Sequence, residues 1–193
     1  ANTWLDVTFA SGEKPPLADG APASVVDAKP SVRENAPQTF FDFADKTLAG
    51  TVFDGANGLA VTAEEGYAAL RITDNYDPYV SLVLGETDAD ENKQMLICYR
   101  NHGESGRLGL YYCAGEDEPF AYTAAHLTMG TLKTDADWHV ALVDFSAADG
   151  FSGRLKTLRI DPYDGLQANI GDGIDIAWIA YDPADGSTLD YAE

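Results

Sequence analysis

Residues 94–113 read QMLICYRNHGESGRLGLYYC, and this stretch decides the fold. On both sides of the turn cluster at 102–106, every second residue is apolar, which is the pattern of a half-buried β-strand. We therefore predict strands at 94–101 and 107–113. Their closeness along the chain predicts a hairpin, in which a register slip of one residue would exchange the two faces of a strand.

The same pattern continues in both directions from this stretch. Clusters of glycine, aspartate and asparagine, such as the one at 54–58, separate short apolar runs. No segment shows a long helical period, and the best helical candidate is 119–127. Many short strands joined by such turns predict an all-β sandwich or barrel. The remaining predicted strands are 4–9, 39–43, 58–62, 67–73, 79–84, 138–145, 155–160 and 173–181.

The chain of 193 residues suits a single large β-domain. Residues 11–38 contain five prolines and little periodicity, which is typical of an extended arm or long loop. We expect residues 1–38 to form an N-terminal strand and an arm that packs on the sandwich. Residues 39–193 are expected to form the sandwich itself.

The charge of the chain limits its partners. It has 32 acidic and 12 basic residues, which gives a formal net charge of -20 at pH 7. Such a field repels nucleic acids and anionic lipids, so neither is an expected partner. No stretch has the roughly 18 consecutive apolar residues that a membrane helix needs, so no membrane insertion is expected. The first residues lack the basic and apolar runs of a signal peptide, as in a cytosolic protein or in a trimmed secreted one.

Strand alternation predicts which side chains point away from the core. If the apolar residues of 79–84, 94–101 and 107–113 face inward, an outer face carries tyrosine, arginine and amide side chains. Sugars are bound by such sets, because an aromatic ring packs on the C–H face of a pyranose and planar polar groups bridge its hydroxyls. The alternative is an ordinary solvated sheet face, since tyrosine favours strands. The predicted binding surface is Tyr79, Gln94, Arg100 and Tyr111, with His139 as a marginal addition.

The two cysteines, Cys98 and Cys113, fall on the same outer face of the predicted hairpin. One register places them opposite each other, where they could form a cross-strand disulfide. The neighbouring register pairs Cys98 with Tyr111 and leaves two thiols. The strict geometry of a disulfide favours the free thiols.

Catalytic motifs are missing from the sequence. No Gly-x-Ser-x-Gly elbow or phosphate-binding loop is present, and the three histidines stand apart. The segment 88–92 resembles the start of a calcium loop, but Lys93 and Tyr99 occupy the positions where that loop needs glycine and glutamate. Trp138 is in phase with Val140 and Leu142, and Trp178 is in phase with Ile174 and Ile176, so both tryptophans are predicted core. We therefore expect no enzymatic activity.

The C-terminal third resembles a known family. Residues 137–146 read DWHVALVDFS, 150–153 GFSG, 158–162 LRIDP and 171–179 GDGIDIAWI. This succession is similar to that of the jelly-roll domains called galactose-binding-like and carbohydrate-binding modules, which are attached to bacterial glycan-degrading and surface proteins. The resemblance covers roughly residues 39–181.

The resemblance implies a two-sheet antiparallel β-sandwich of jelly-roll type. It also implies a non-catalytic module of a secreted or cell-surface multidomain bacterial protein, with a polysaccharide and neighbouring domains as partners. The alternative, from another class, is a structural or adhesive domain that docks other proteins and binds no glycan.

Relatives of this kind often hold a structural calcium ion near a sheet edge. Asp175 lies at the matching place in the last predicted strand, and Asp42 is a candidate second ligand. Calcium takes six to eight oxygen ligands, which an acidic chain can supply. The alternatives for Asp175 are an outward polar residue or a partner of Arg159.

Overall fold

The computed structural model describes residues 4–8, 40–165 and 168–182. These residues form short strands and one short helix, α1 (Leu48–Thr51). The strands are β1 (Trp4–Thr8), β2 (Phe40–Asp42), β3 (Phe53–Asn57), β4 (Leu59–Glu64), β5 (Tyr67–Ile72), β6 (Tyr79–Asp88), β7 (Gln94–Asn101), β8 (Arg107–Ala114), β9 (Leu127–Thr131), β10 (Trp138–Asp144), β11 (Arg154–Pro162) and β12 (Gly173–Asp182).

The strands form two antiparallel sheets. The seven-stranded sheet has the order β1-β10-β7-β12-β5-β4, with β2 paired to β12, and the five-stranded sheet has the order β3-β6-β11-β8-β9. The predicted all-β, two-sheet antiparallel sandwich is therefore confirmed. The predicted N-terminal strand is β1, which pairs with β10 and forms one edge of the seven-stranded sheet. The arm predicted at 11–38 lies outside the described residues.

The inner faces of the two sheets form one hydrophobic core. The inward residues expected from alternation in β6, β7 and β8 all belong to it and are at most 2% exposed. Period-two alternation therefore predicted the faces of these strands correctly. The nine residues are Val80, Leu82, Leu84, Met95, Ile97, Tyr99, Leu108, Leu110 and Tyr112.

The predicted hairpin of β7 and β8 is wrong. β7 pairs with β10 and β12 in one sheet, whereas β8 pairs with β11 and β9 in the other. Segment 102–106 therefore crosses between the sheets, and the Asn101 side chain holds it by bonds to the nitrogen of Gly103 and the oxygen of Ser105, both 3.0 Å. Alternation fixes the face of a strand but not its partner, which is why the sequence suggested the wrong neighbour.

This topology also determines whether the two cysteines can pair. Cys98 lies in β7 and Cys113 in β8, so they belong to different sheets. Both are buried, and neither forms a disulfide, which confirms the prediction of two thiols.

A second apolar cluster lies on the outer face of the seven-stranded sheet. A register shift in β12 between Ile176 and Trp178 places Trp178 opposite Cys98 on this face. The prediction that Trp178 shares a face with Ile174 and Ile176 is therefore wrong. Trp138 and Trp178 are buried as expected, but in this second cluster.

Two strands were not predicted. β3 coincides with the turn cluster predicted at 54–58, and β9 begins where the helical candidate 119–127 ends. That candidate is not helical. No helix among the described residues is long and apolar enough to span a membrane.

Candidate functional site

The residues predicted to bind sugar are divided between two sheets. Tyr79 and Tyr111 lie on the outer face of the five-stranded sheet, as strands β6 and β8 require. Gln94 and Arg100 belong to β7 and so to the seven-stranded sheet. The predicted surface is therefore not assembled, because it depended on the hairpin that the chain does not form.

His139 does not lie on an outer sheet face, as the prediction of a binding role required. Its side chain is 1% exposed and shares the inward face with Tyr99, its partner in the neighbouring strand. The two rings lie 5.6 Å apart, and Nε2 of His139 is 2.7 Å from Oδ1 of Asp135. A buried ring held in this way does not contact a ligand on a sheet face.

Arg100 has a structural environment on the seven-stranded sheet. Its guanidinium lies 4.7 Å from the ring centre of Trp138 and 5.4 Å from that of Tyr67. Its Nε and Nη2 donate hydrogen bonds of 2.9 and 2.6 Å to Oδ2 of Asp175. This arrangement fixes Arg100 against the sheet.

Asp175 is the centre of a charge cluster and does not fit a calcium site. Its carboxylate is 0% exposed and lies 2.5 Å from Nη2 of Arg71, 2.6 Å from Nη2 of Arg100 and 2.7 Å from Nε2 of His102. Burial raises the pKa of Asp175, but the hydrogen bonds from His102, Arg100 and Arg71 outweigh it and hold the pKa below the usual value. Its neighbours are nitrogen donors, whereas calcium requires oxygens.

Asp42 does not complete such a site either. It pairs with Trp178, which lies beyond the register shift of β12 from Asp175. Its Oδ1 accepts a hydrogen bond from the nitrogen of Ala44 at 2.9 Å. Within 4–8, 40–165 and 168–182, no three histidine, cysteine or acidic side chains could hold a metal ion together.

The outer face of the five-stranded sheet is built around Arg159, which the sequence analysis did not select. Arg159 on β11 is in register with Ser81 on β6 and Tyr111 on β8. Its guanidinium lies 3.8 Å from the ring centre of Tyr79 and 5.1 Å from that of Tyr111. The sequence does indicate the outward position of Arg159, because this residue alternates with the apolar Leu158 and Ile160.

Two carboxylates fix the orientation of Arg159. Its Nε and Nη2 donate to Asp161 at 2.6 and 2.5 Å, and Nη2 also donates to Asp77 at 2.6 Å. Nη1 has no acceptor among the described residues, so it remains able to donate. Burial raises the pKa of Asp161 to about 6, against the lowering effect of Arg159. Burial lowers the pKa of Arg159, but the bonds and charges of Asp161 and Asp77 outweigh it and raise that pKa.

An open depression of about 390 Å³ lies over this arginine. The segment 115–126 forms one wall, where Phe120 is 48% exposed. The hydroxyl of Tyr122 is buried beside those of Ser81 and Thr157, without the geometry of a hydrogen bond, and burial raises its pKa. The lining residues are Asp54, Gly55, Tyr79, Ser81, Phe120, Tyr122 and Arg159.

The sequence matches no protein-family model and no curated protein. Among solved structures, the fold is similar to that of a low-affinity xylan-binding module of family 86 from the xylanolytic gut symbiont Roseburia intestinalis. The TM-score is 0.52 at 12% identity, over 76% of this chain and 96% of that one. A variant of a family 29 carbohydrate-binding module has a TM-score of 0.49 at 13% identity, over 100% and 98% of the two chains.

At this level of identity, the likeness to the family 86 module is evidence for the fold alone. The chain has a jelly-roll sandwich fold like that of carbohydrate-binding modules. The jelly roll implied by the sequence resemblance is therefore confirmed.

Proposed function

We propose that the chain is a non-catalytic module that binds a polysaccharide on the outer face of its five-stranded sheet. The observation that carries the proposal is the rigid placement of Arg159 between Tyr79 and Tyr111 in the floor of an open depression. A donor that is already oriented loses little conformational entropy when a ligand binds.

The side chains around Arg159 suit a sugar. Tyr79 and Phe120 are partly exposed aromatic residues that can pack on the C–H face of a pyranose. Nη1 of Arg159 can donate to a hydroxyl, and the carboxylate of Asp54 can accept from one. Tyr111 supports the arginine from its other side.

The position of Asp161 on this face favours binding over hydrolysis. Glycosidases hold two carboxyl groups roughly 5–10 Å apart on either side of the scissile bond. Asp161 is 2% exposed, and Arg159 occupies both of its oxygens, so it cannot reach a substrate. The similar module of family 86 is described as binding xylan, which supports the same class of ligand.

The proposal includes the setting of the module. A domain that only binds polysaccharide is useful when it holds other domains near the polymer. We therefore propose that it belongs to a secreted or cell-surface protein, with neighbouring domains as partners. Calcium binding is not part of the proposal, since the charge cluster at Asp175 does not fit it.

The test is a binding assay of the purified protein against a panel of polysaccharides, in calcium and in chelator. The expected result is saturable binding that Tyr79→Ala and Phe120→Ala each weaken about tenfold, or about 1.4 kcal/mol. Binding should be equal in calcium and in chelator. Ile170→Ala is the matched control, because Ile170 is an exposed apolar residue outside the depression.

Two outcomes would contradict the proposal. Failure of the folded protein to bind any polysaccharide would favour the structural or adhesive docking role. Binding that both aromatic variants leave unchanged would place the glycan elsewhere on the molecule.

A further inference from the structure

Phe120 stands between two depressions on the outer face of the five-stranded sheet. The first is the depression over Arg159, and the second has a volume of about 300 Å³. Phe120 is the residue that lines both. The second depression is lined by Val83, Pro119, Phe120, Arg154, Lys156 and Thr157.

The backbone around Phe120 is held in place from below. The nitrogen of Phe120 donates to Oγ1 of Thr157 at 3.3 Å, and the nitrogen of Ala121 donates to the oxygen of Glu118 at 3.1 Å. Nζ of Lys156 donates to the oxygen of Asp117 at 2.5 Å. The bonds from Phe120 and Lys156 tie the segment to β11, and the bond from Ala121 closes a turn around Phe120.

Phe120 also has an unusual conformation, with a φ of 67°. Bulky residues rarely adopt a positive φ, and those that do cluster at sites of ligand contact. Asp77, which bonds to Arg159 beside the first depression, has a φ of 49°. Two of the four non-glycine residues with a positive φ in the described part of the chain therefore border the proposed binding face; Ala136 and Tyr163 are the others.

The two depressions together are longer than one sugar. Tyr79 lines the first and Val83 the second, and both project from the outer face of β6. They are four residues apart, a distance of about 13 Å at the rise of a strand, which exceeds the length of a pyranose ring. A chain of several sugar units is needed to contact both.

We propose that the site takes an internal stretch of a linear polysaccharide, with units in both depressions and one unit over Phe120. This inference rests on the proposed function and specifies its ligand as a chain rather than a single or terminal sugar. The two depressions have different linings, Asp54 and Arg159 in one and Lys156 in the other, so the bound chain has a preferred direction.

The test uses oligosaccharides of the polymer that binds tightest in the panel, from the monosaccharide to the hexasaccharide. We expect affinity to rise at least about tenfold between the disaccharide and the hexasaccharide, measured by calorimetry. Phe120→Ala and Lys156→Gln should each remove most of this gain. Lys133→Gln, which removes the same charge beyond the end of β9, is the control and should keep the gain. The melting temperature of each variant confirms its folding.

The outcomes separate this inference from the proposed function. If the disaccharide binds as tightly as the hexasaccharide and Tyr79→Ala weakens both, polysaccharide binding stands and the two-depression proposal is overturned. If affinity rises with length but Phe120→Ala and Lys156→Gln keep the full gain, the chain runs elsewhere and the proposal is again overturned. If no length binds and the polymer does not bind, both proposals fail.

Discussion

At the scale of single residues, Phe120 combines backbone strain with an exposed ring. A phenylalanine with a φ of 67° is in the left-handed region, at a cost of about 1–3 kcal/mol. Glycine adopts this region freely. We expect the free energy of unfolding of Phe120→Gly to equal that of Phe120→Ala or to exceed it by up to about 1 kcal/mol. Both variants should lose polysaccharide affinity. Urea unfolding of the two variants measures the difference.

A Phe120→Gly variant clearly less stable than Phe120→Ala would show that the positive φ imposes no strain. A Phe120→Gly variant that binds as well as the native protein would show that the ring does not contact the ligand. The pair of measurements separates the conformational role of this position from its role in binding.

Sequence alternation identified some of the candidate site. It placed Tyr79 and Tyr111 on an outer face correctly, because the period of a strand is a local property. The same rule places Arg159 on that face, since it alternates with the apolar Leu158 and Ile160. Phe120 had no such signal, since its exposure depends on how the segment 115–126 crosses β6 and β11.

At the scale of elements, the stability of the sheet around β12 depends on the negative charge of Asp175. Asp175→Asn would leave three cationic or potentially cationic groups around a neutral side chain, and we expect the free energy of unfolding at pH 7 to fall by about 3 kcal/mol. Because the fold lowers the pKa of this carboxyl, its stabilisation is present above the unfolded pKa near 3.8 and is lost as the pH falls through the folded pKa. The native protein should therefore lose stability more steeply than the variant below about pH 4.

Asp161→Asn is the control for this prediction. Burial raises the pKa of Asp161 to about 6, so the fold disfavours its charged form, and the neutral amide should cost less there than at position 175. Urea unfolding across the pH range measures both effects. Equal losses in the two variants, or parallel acid profiles for Asp175→Asn and the native protein, would contradict the assigned role of Asp175.

Strand pairing and bulges limited what could be predicted at this scale. The bounds of β7 were predicted in full, but its partners are β10 and β12, which come much later in the chain. Long-range pairing leaves no local signal. The register shift between Ile176 and Trp178 also interrupts the alternation of side chains in β12. Residues 176–179 are all apolar, so the sequence does not show where the alternation breaks.

At the scale of the whole molecule, the cysteines test the two-sheet architecture. Both are fully buried, on the outer faces of opposite sheets, which pack about 10 Å apart. A disulfide requires Cα atoms within about 7 Å. We expect a mild oxidant to leave the native protein with two thiols and an unchanged melting temperature, and a thiol reagent to modify them only after unfolding.

Mass spectrometry and thiol titration with and without denaturant provide the measurements. An intramolecular disulfide formed in the native state would contradict the placement of Cys98 and Cys113 in different sheets. Rapid modification of one thiol without denaturant would instead indicate local opening of the sheet that carries it.

The position of β12 has a consequence for the synthesis of the chain. This strand lies between β5 and β7 and also pairs with β2, so one edge of β5, one edge of β7 and strand β2 wait for β12 to pair with them. On the ribosome, the seven-stranded sheet stays divided until residue 182 has emerged. The nascent chain therefore carries unpaired strand edges throughout its production, and its sandwich forms in a late, cooperative step rather than progressively from the first residues.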